Sequence, residues 1–284
     1  MDKGVELMYI EIDDFRQSYV VAKNEVRKFV RGKRFTLYVG LIAIVFALIT
    51  FLPFILGGSL GGTPGEVISR YVSFIDLLII LAATLFASVT IVSEFEESTA
   101  LILFTRPIKK TSIFLGKVMG CIALEMVMIV LFYLGIAVVS FAAAGSVSVD
   151  LFKSLGVSFM FVVAASGVAI LISSIMKKAS TCAILTFVLL LLILPIISSV
   201  ISGSTSTDPW FMLDQASSAI AQCIPEYVDM INRMMLHFAE MMGIAPEDMG
   251  LMEVADLAKT TITMAGWSLV TLTLAWIAFI RREF

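Results

Sequence analysis

Six long apolar runs constrain this chain more than any other feature. They lie at 37–57, 72–92, 118–141, 154–176, 181–201 and 258–280. At about 1.5 Å per helical residue, each can cross a hydrocarbon core about 30 Å thick. Lipid offers the backbone no hydrogen-bond partners, so segments of this length must be helices that satisfy their own peptide groups. The expectation is an all-α polytopic membrane protein with six transmembrane helices. Composition agrees: 59% of the 284 residues are hydrophobic and 15% are charged, which excludes an ordinary soluble domain.

The basic residues orient the bundle. Sixteen of the twenty Lys and Arg fall in four segments that alternate with the runs: the first 36 residues, the stretch 93–117, Lys177-Lys178 and Arg281-Arg282. The positive-inside rule puts all four in the cytoplasm, and with them both termini. Residues 1–36 hold no apolar core of a secretory signal. They form a cytoplasmic arm, and 37–284 form the transmembrane domain. In the arm, Phe15, Tyr19, Ala22, Val26 and Phe29 recur at helical spacing. Arg16, Lys23, Arg27, Lys28, Arg31, Lys33 and Arg34 mostly take the other face. That pattern predicts an amphipathic helix lying flat on the inner leaflet.

The link 202–257 is the opposite of the arm in charge, with nine acids against one Arg. It reads as an extracytoplasmic helical cap. Asp208-Pro209 is expected to start one short helix carrying Trp210 and Phe211, and Pro225 a second that runs to about Met242. Pro246-Glu247-Asp248 marks a third start. Of the three cysteines, Cys121 and Cys182 fall in or beside spans and Cys223 in a loop, with no disulfide framework indicated.

Between the second and third runs stands a charged island, 93–117. Acids open it (Glu94, Glu96, Glu97) and bases close it (Arg106, Lys109, Lys110, Lys117), with the apolar stretch 99–105 between. Pro107 has no N–H and clashes with a preceding turn, so a helix from about Glu94 must break at Arg106-Pro107 and a new one start near Lys109. The order of Glu94, Glu96 and Glu97, then Thr99 and Leu101, then Arg106-Pro107, Lys109-Lys110 and Gly116-Lys117, resembles the loop between the second and third spans of type 2 ATP-binding-cassette (ABC) permeases. Ser98 stands where that family often has Gly. The resemblance implies that Glu94, Glu96, Glu97, Thr99, Leu101, Arg106, Pro107, Lys109 and Lys110 form a coupling helix for a separate cassette ATPase subunit. Lys177 and Lys178 would make a second, smaller contact. It further implies a plasma-membrane exporter subunit, not itself an enzyme, paired with a second membrane subunit, with ATP and Mg²⁺ held by the ATPase partner.

Gly116-Lys117 lacks the spaced glycine and following Ser or Thr of a phosphate-binding loop. Glu96-Glu97 lacks the Arg and histidines that a prenyl-protein protease needs, since Leu101 holds the Arg position and His237 is the only histidine. Met234, His237 and Met241 share a helical face with donors suited to Cu(I), but the same methionines also fit the apolar face of the cap helix. Asp76 and Glu125 are the acids inside spans. Glu125 serves either a helix–helix hydrogen bond or the substrate path. Both acids are the groups that the alternative function, an ion-coupled secondary transporter or channel, would use.

Overall fold

The structure is a computed structural model that describes residues 3–58, 60, 62–96, 109–205, 209–243 and 250–282, with side chains from residue 14 onward. The described residues form helices and turns, with no strand. Six helices are long and apolar enough to cross a membrane: Lys33–Ile55, Pro64–Glu96, Lys110–Ala144, Asp150–Ile175, Ala179–Ser204 and Leu257–Arg281. An additional helix, Lys3–Val30, precedes the first span.

Helix ends are set by local chemistry. Span two starts about two turns before its apolar run because Thr63 and Glu66 form a reciprocal capping box with Pro64 at the first helical position. Asp256 caps span six by accepting from the Ala258 and Lys259 amides. Gly145 ends span three at φ 72°, a left-handed turn that suits glycine. At 35 residues, span three is about 52 Å long, well beyond the apolar core. Its first two turns therefore extend past the core at the end where the arm lies.

Two spans are irregular. Span two has helical segments Pro64–Val72, Ile75–Leu85 and Val92–Glu96, with a tight 3-10 turn at Ala87–Val89. Its interrupted backbone is served by neighbours: Ser173 Oγ on span four accepts from the Ile91 and Val92 amides at 3.2 and 3.0 Å. Span five carries a wide π-turn, Leu189–Ile193, just before Pro195. Pro195 cannot donate to the preceding turn, and the wide turn absorbs the lost bond.

Span two is the centre of the bundle. Ile68, Tyr71, Ile75, Leu78, Ile79 and Phe86 are all essentially fully buried. Span one is peripheral, and Tyr38 is its only buried residue among those described. Tyr38 is held by a 2.9 Å bond from its hydroxyl to the Leu78 carbonyl on span two. Small residues mark close approaches. A Cβ at Gly116 would lie 2.6 Å from the Ser18 carbonyl oxygen, and one at Gly120 2.7 Å from that of Ala22. The Gly116–Gly120 pair thus receives the arm helix. Gly167 lies against Thr271, seating span six on span four.

The arm departs in part from its sequence reading. Its buried stripe is Ser18, Ala22, Glu25 and Phe29, which packs on span three. Of the expected apolar face, Ala22 and Phe29 join that stripe, whereas Phe15 and Tyr19 stay exposed beside it. Hydropathy missed the packing face because two of its members, Ser18 and Glu25, are polar.

The link between spans five and six contains the helices Leu213–Gln222 and Pro225–Met242. Pro225 starts the second as expected. The first starts later than expected. Pro209 to Phe211 forms a turn closed by Met212 N–H to the Pro209 carbonyl, and helix begins at Leu213. Asp208 and the third start at 246–248 lie outside the described residues. Cys223 lies in the turn between the two link helices, as expected, and is buried there at 4% exposure. Burial pushes its thiol up to about 11. All three cysteines are free thiols.

Candidate functional site

At the end of the bundle that carries the arm, spans two and three and the arm meet in a polar knot. Its centre is Lys117, 3% exposed. Lys117 Nζ donates to Glu25 Oε2 of the arm at 3.0 Å, to Glu94 Oε1 of span two at 2.9 Å and to the Thr90 carbonyl at 3.2 Å. An ammonium has three protons, and here each has an acceptor. Lys28, from the arm, adds a second cation, bonding Glu94 Oε1 at 3.0 Å and Ser93 Oγ at 3.3 Å. Two cations thus face two carboxylates. A buried charge of this kind is tolerated only when paired, and removing one partner strands the others.

Next to it, the ends of spans four, five and six are tied to the end of span two. Glu96 Oε2 accepts from the Ala179 amide at 2.8 Å. It thereby caps the first turn of span five, where Lys178 offers no side-chain cap of its own. Arg282 closes span four, donating to the carbonyls of Ser173, Ser174 and Met176 at 3.3, 3.2 and 2.7 Å. The same guanidinium lies 3.8 Å over the Phe95 ring. The short helix Val92–Glu96 is thus held on several sides just before residue 97.

The residues singled out in the sequence fall as follows. Glu94 faces inward, to Lys117 and Lys28. Glu96 reaches the span-five turn, and so joins the island to the exposed Lys177 and Lys178. Lys109 stands just before span three and pairs with Asp14 of the arm at 2.5 Å. It is well exposed, so the pair contributes little, about 0–1 kcal/mol. Lys110 is the first residue of span three. Glu97, Thr99, Leu101, Arg106 and Pro107 lie outside the described residues. Sequence reasoning missed Glu25 and Arg282 as members of this site. Arg282 was read only as a topology charge, and Glu25 was hidden among the arm's cations.

The two intramembrane acids are not brought together. Glu125 is fully buried, and accepts from Ser166 Oγ of span four and, at 3.3 Å, from Cys121 Sγ one turn back. The helix–helix hydrogen bond is therefore present. Asp76 lies near the other end of the bundle, accepting from the Leu77 amide at 2.7 Å. Above it, the Tyr227 phenol is pushed up by burial and, secondarily, by the charge of Asp76.

The far end is joined mostly by hydroxyls and carbonyls, with the Asp214 carboxylate accepting from Ser198 Oγ of span five. Tyr133 Oη bonds Ser154 and Ser158 at 2.7 Å each, and Ser154 Oγ donates to the Ile220 carbonyl of the first link helix at 2.6 Å. Trp267 and Thr263 of span six donate to the Phe211 and Trp210 carbonyls. Met234, His237 and Met241 run along an exposed side of the second link helix. His237 there stands 3.9 Å from Glu240.

A family model described as "ABC-2 family transporter protein" matches residues 19–284. A search of the curated proteins finds no match.

Proposed function

The chain belongs to the ABC-2 transporter family, and we propose that it is the permease subunit of an exporter driven by ATP hydrolysis on a separate cassette ATPase. The membrane-transport role follows from the family and from six membrane-crossing helices. The direction, the ATPase and the second membrane subunit are our reading.

The observation that carries it is the knot. It joins the arm to spans two and three, and the contacts beside it tie the Val92–Glu96 helix to spans five and six and span six to span four, so a force applied to that helix reaches most of the bundle. Charge supports placing this end in the cytoplasm, since sixteen of twenty basic residues belong to it. Lys117 also argues against nucleotide binding by this chain, because its ammonium is committed to Glu25 and Glu94 rather than free for a phosphate. ATP and Mg²⁺ would therefore sit on the partner.

In this mechanism the ATPase docks on 93–117, with Lys177 and Lys178 as a lesser contact. Closure of two ATPases around ATP pulls on the island. Glu96 passes the movement to span five, and Lys117 passes it to span three and the arm. The spans then reorient around a path between two membrane subunits in the plasma membrane. The test is co-expression with a cassette ATPase taken from the same genome. We expect co-purification, and its loss in a Glu97→Arg/Arg106→Glu variant. Undiminished capture by that variant would overturn the docking site.

A further inference from the structure

Spans one and three leave an apolar groove of about 690 Å³ between them, open on the outer surface of the bundle. It runs along one face of span one from Phe35 to Phe51, and its far wall is Met128, Leu131 and Phe132. Near its middle it narrows, because Gly135 brings span three against the Phe46 ring, where a Cβ would lie 2.8 Å from the ring edge. From Phe35 to Phe46 is about 16 Å along the helix, close to the half-thickness of a bilayer's hydrocarbon core, about 15 Å. Ala43 keeps this half open.

The two ends differ in charge. At the Phe35 end the chain turns from the arm into span one, and Arg31, Lys33 and Arg34 are all exposed there. None of them forms an ion pair among the described residues. At the other end the polar atom is Thr50 Oγ1, already bonded to the Phe46 carbonyl at 2.7 Å and to Tyr71 Oη at 2.9 Å. An occupant with one apolar tail about a leaflet long and one anionic head fits this arrangement. Its size suits ligand clefts, about 300–1,000 Å³, and basic clusters beside a span attract anionic headgroups.

We infer that this groove is a binding site for an anionic phospholipid, with one acyl chain against Phe35, Ala43 and Phe46 and the headgroup over Arg31, Lys33 and Arg34. The lipid fills the space that the loosely packed first span leaves open, and fastens that span to span three. The site needs neither nucleotide nor ATPase, so its failure would leave the transport reading standing.

The experiment reconstitutes the full chain in phosphatidylcholine vesicles doped with either phosphatidylglycerol or phosphatidylcholine spin-labelled on the acyl chain. The immobilised fraction is read by electron paramagnetic resonance. The wild type should hold phosphatidylglycerol several-fold more than phosphatidylcholine. Ala43→Phe/Ala47→Phe, which fills the groove, should reduce both to bilayer background. Leu131→Trp narrows it from the exposed side of the opposite wall and should act in the same direction without touching the core. Arg31→Gln/Lys33→Gln/Arg34→Gln should abolish the preference while leaving phosphatidylcholine binding unchanged. Equal retention of both lipids by the wild type would overturn the proposal. So would an unchanged phosphatidylglycerol component in both groove-filling variants that elute as folded protein. High-yield chain-to-chain crosslinking of Val39→Cys without an immobilised lipid component would show a second copy in the groove, and would overturn it too.

Discussion

Spans one and two have nearly the same mean hydropathy, yet one is almost bare and the other is the centre of the bundle. Lipid is as apolar as the side chains of either, so hydropathy reports that a segment crosses but not what it touches. What separates the two is punctuation. Span two is broken twice: the break at 73–74 is closed within the span, whereas at the second Ser173 of span four serves Ile91 and Val92, and just beyond it Glu94 and Glu96 reach span three and span five. Span one is unbroken until Pro53, near its end, and offers its neighbours only Tyr38 and a partly buried edge. Interruption, rather than greasiness, recruits partners.

That contrast can be broken by substitution. The largest effect is expected from Lys117→Met, which removes the buried ammonium that Glu25 and Glu94 share. Glu94 keeps the Lys28 ammonium, so the stranded charge is that of Glu25, and the cost should be about 3 kcal/mol, read as a large loss of thermal stability in detergent. Adding Glu25→Gln and Glu94→Gln should recover part of it. No recovery would mean that the Lys117 stem, not its charge, holds the site. Next, Ile79→Ala in span two should cost about 2–5 kcal/mol, because the side chain is fully buried. The matched change in span one, Leu48→Ala, removes an exposed side chain and should stay within about 0.5 kcal/mol. Equal losses at the two positions would show that span one is packed in the membrane against something heavier than lipid.

Glu125→Gln sharpens the comparison differently, since it keeps the side chain's shape and its bond from Ser166. We expect reduced transport with ATPase association intact, and normal transport would reduce Glu125 to a packing residue. The smallest effect concerns Cys223. With its thiol pushed up to about 11, only about one molecule in ten thousand is thiolate at pH 7, and the fraction rises tenfold per pH unit below that value. Maleimide labelling of Cys223 in the folded protein should therefore be negligible at pH 7. Rapid labelling would contradict the burial of that turn.

Much of this fold is legible in residue order because lipid leaves the backbone few choices. All six spans follow from run length, and the Lys110 helix start follows from Pro107. Nothing in residue order says that the arm packs on Gly116 and Gly120. The knot is less legible. Glu25 and Lys117 are 92 residues apart, and no local pattern pairs them. Glu94 looks like one more surface acid of the island until span three turns Lys117 towards it. Arg282 counts as a topology charge in a list of cations, yet three carbonyls of span four claim it. Long-range pairing is a property of packing, and packing in lipid leaves little trace in hydropathy.

The account rests on a cytosolic ATPase gripping the island between spans two and three. The most direct measurement places a photo-crosslinking amino acid at Leu101 in intact cells and identifies the adduct by mass. A cassette ATPase captured from the cytoplasmic side is the predicted result. Labelling of that position by a membrane-impermeant reagent added outside, with no ATPase adduct, would contradict it.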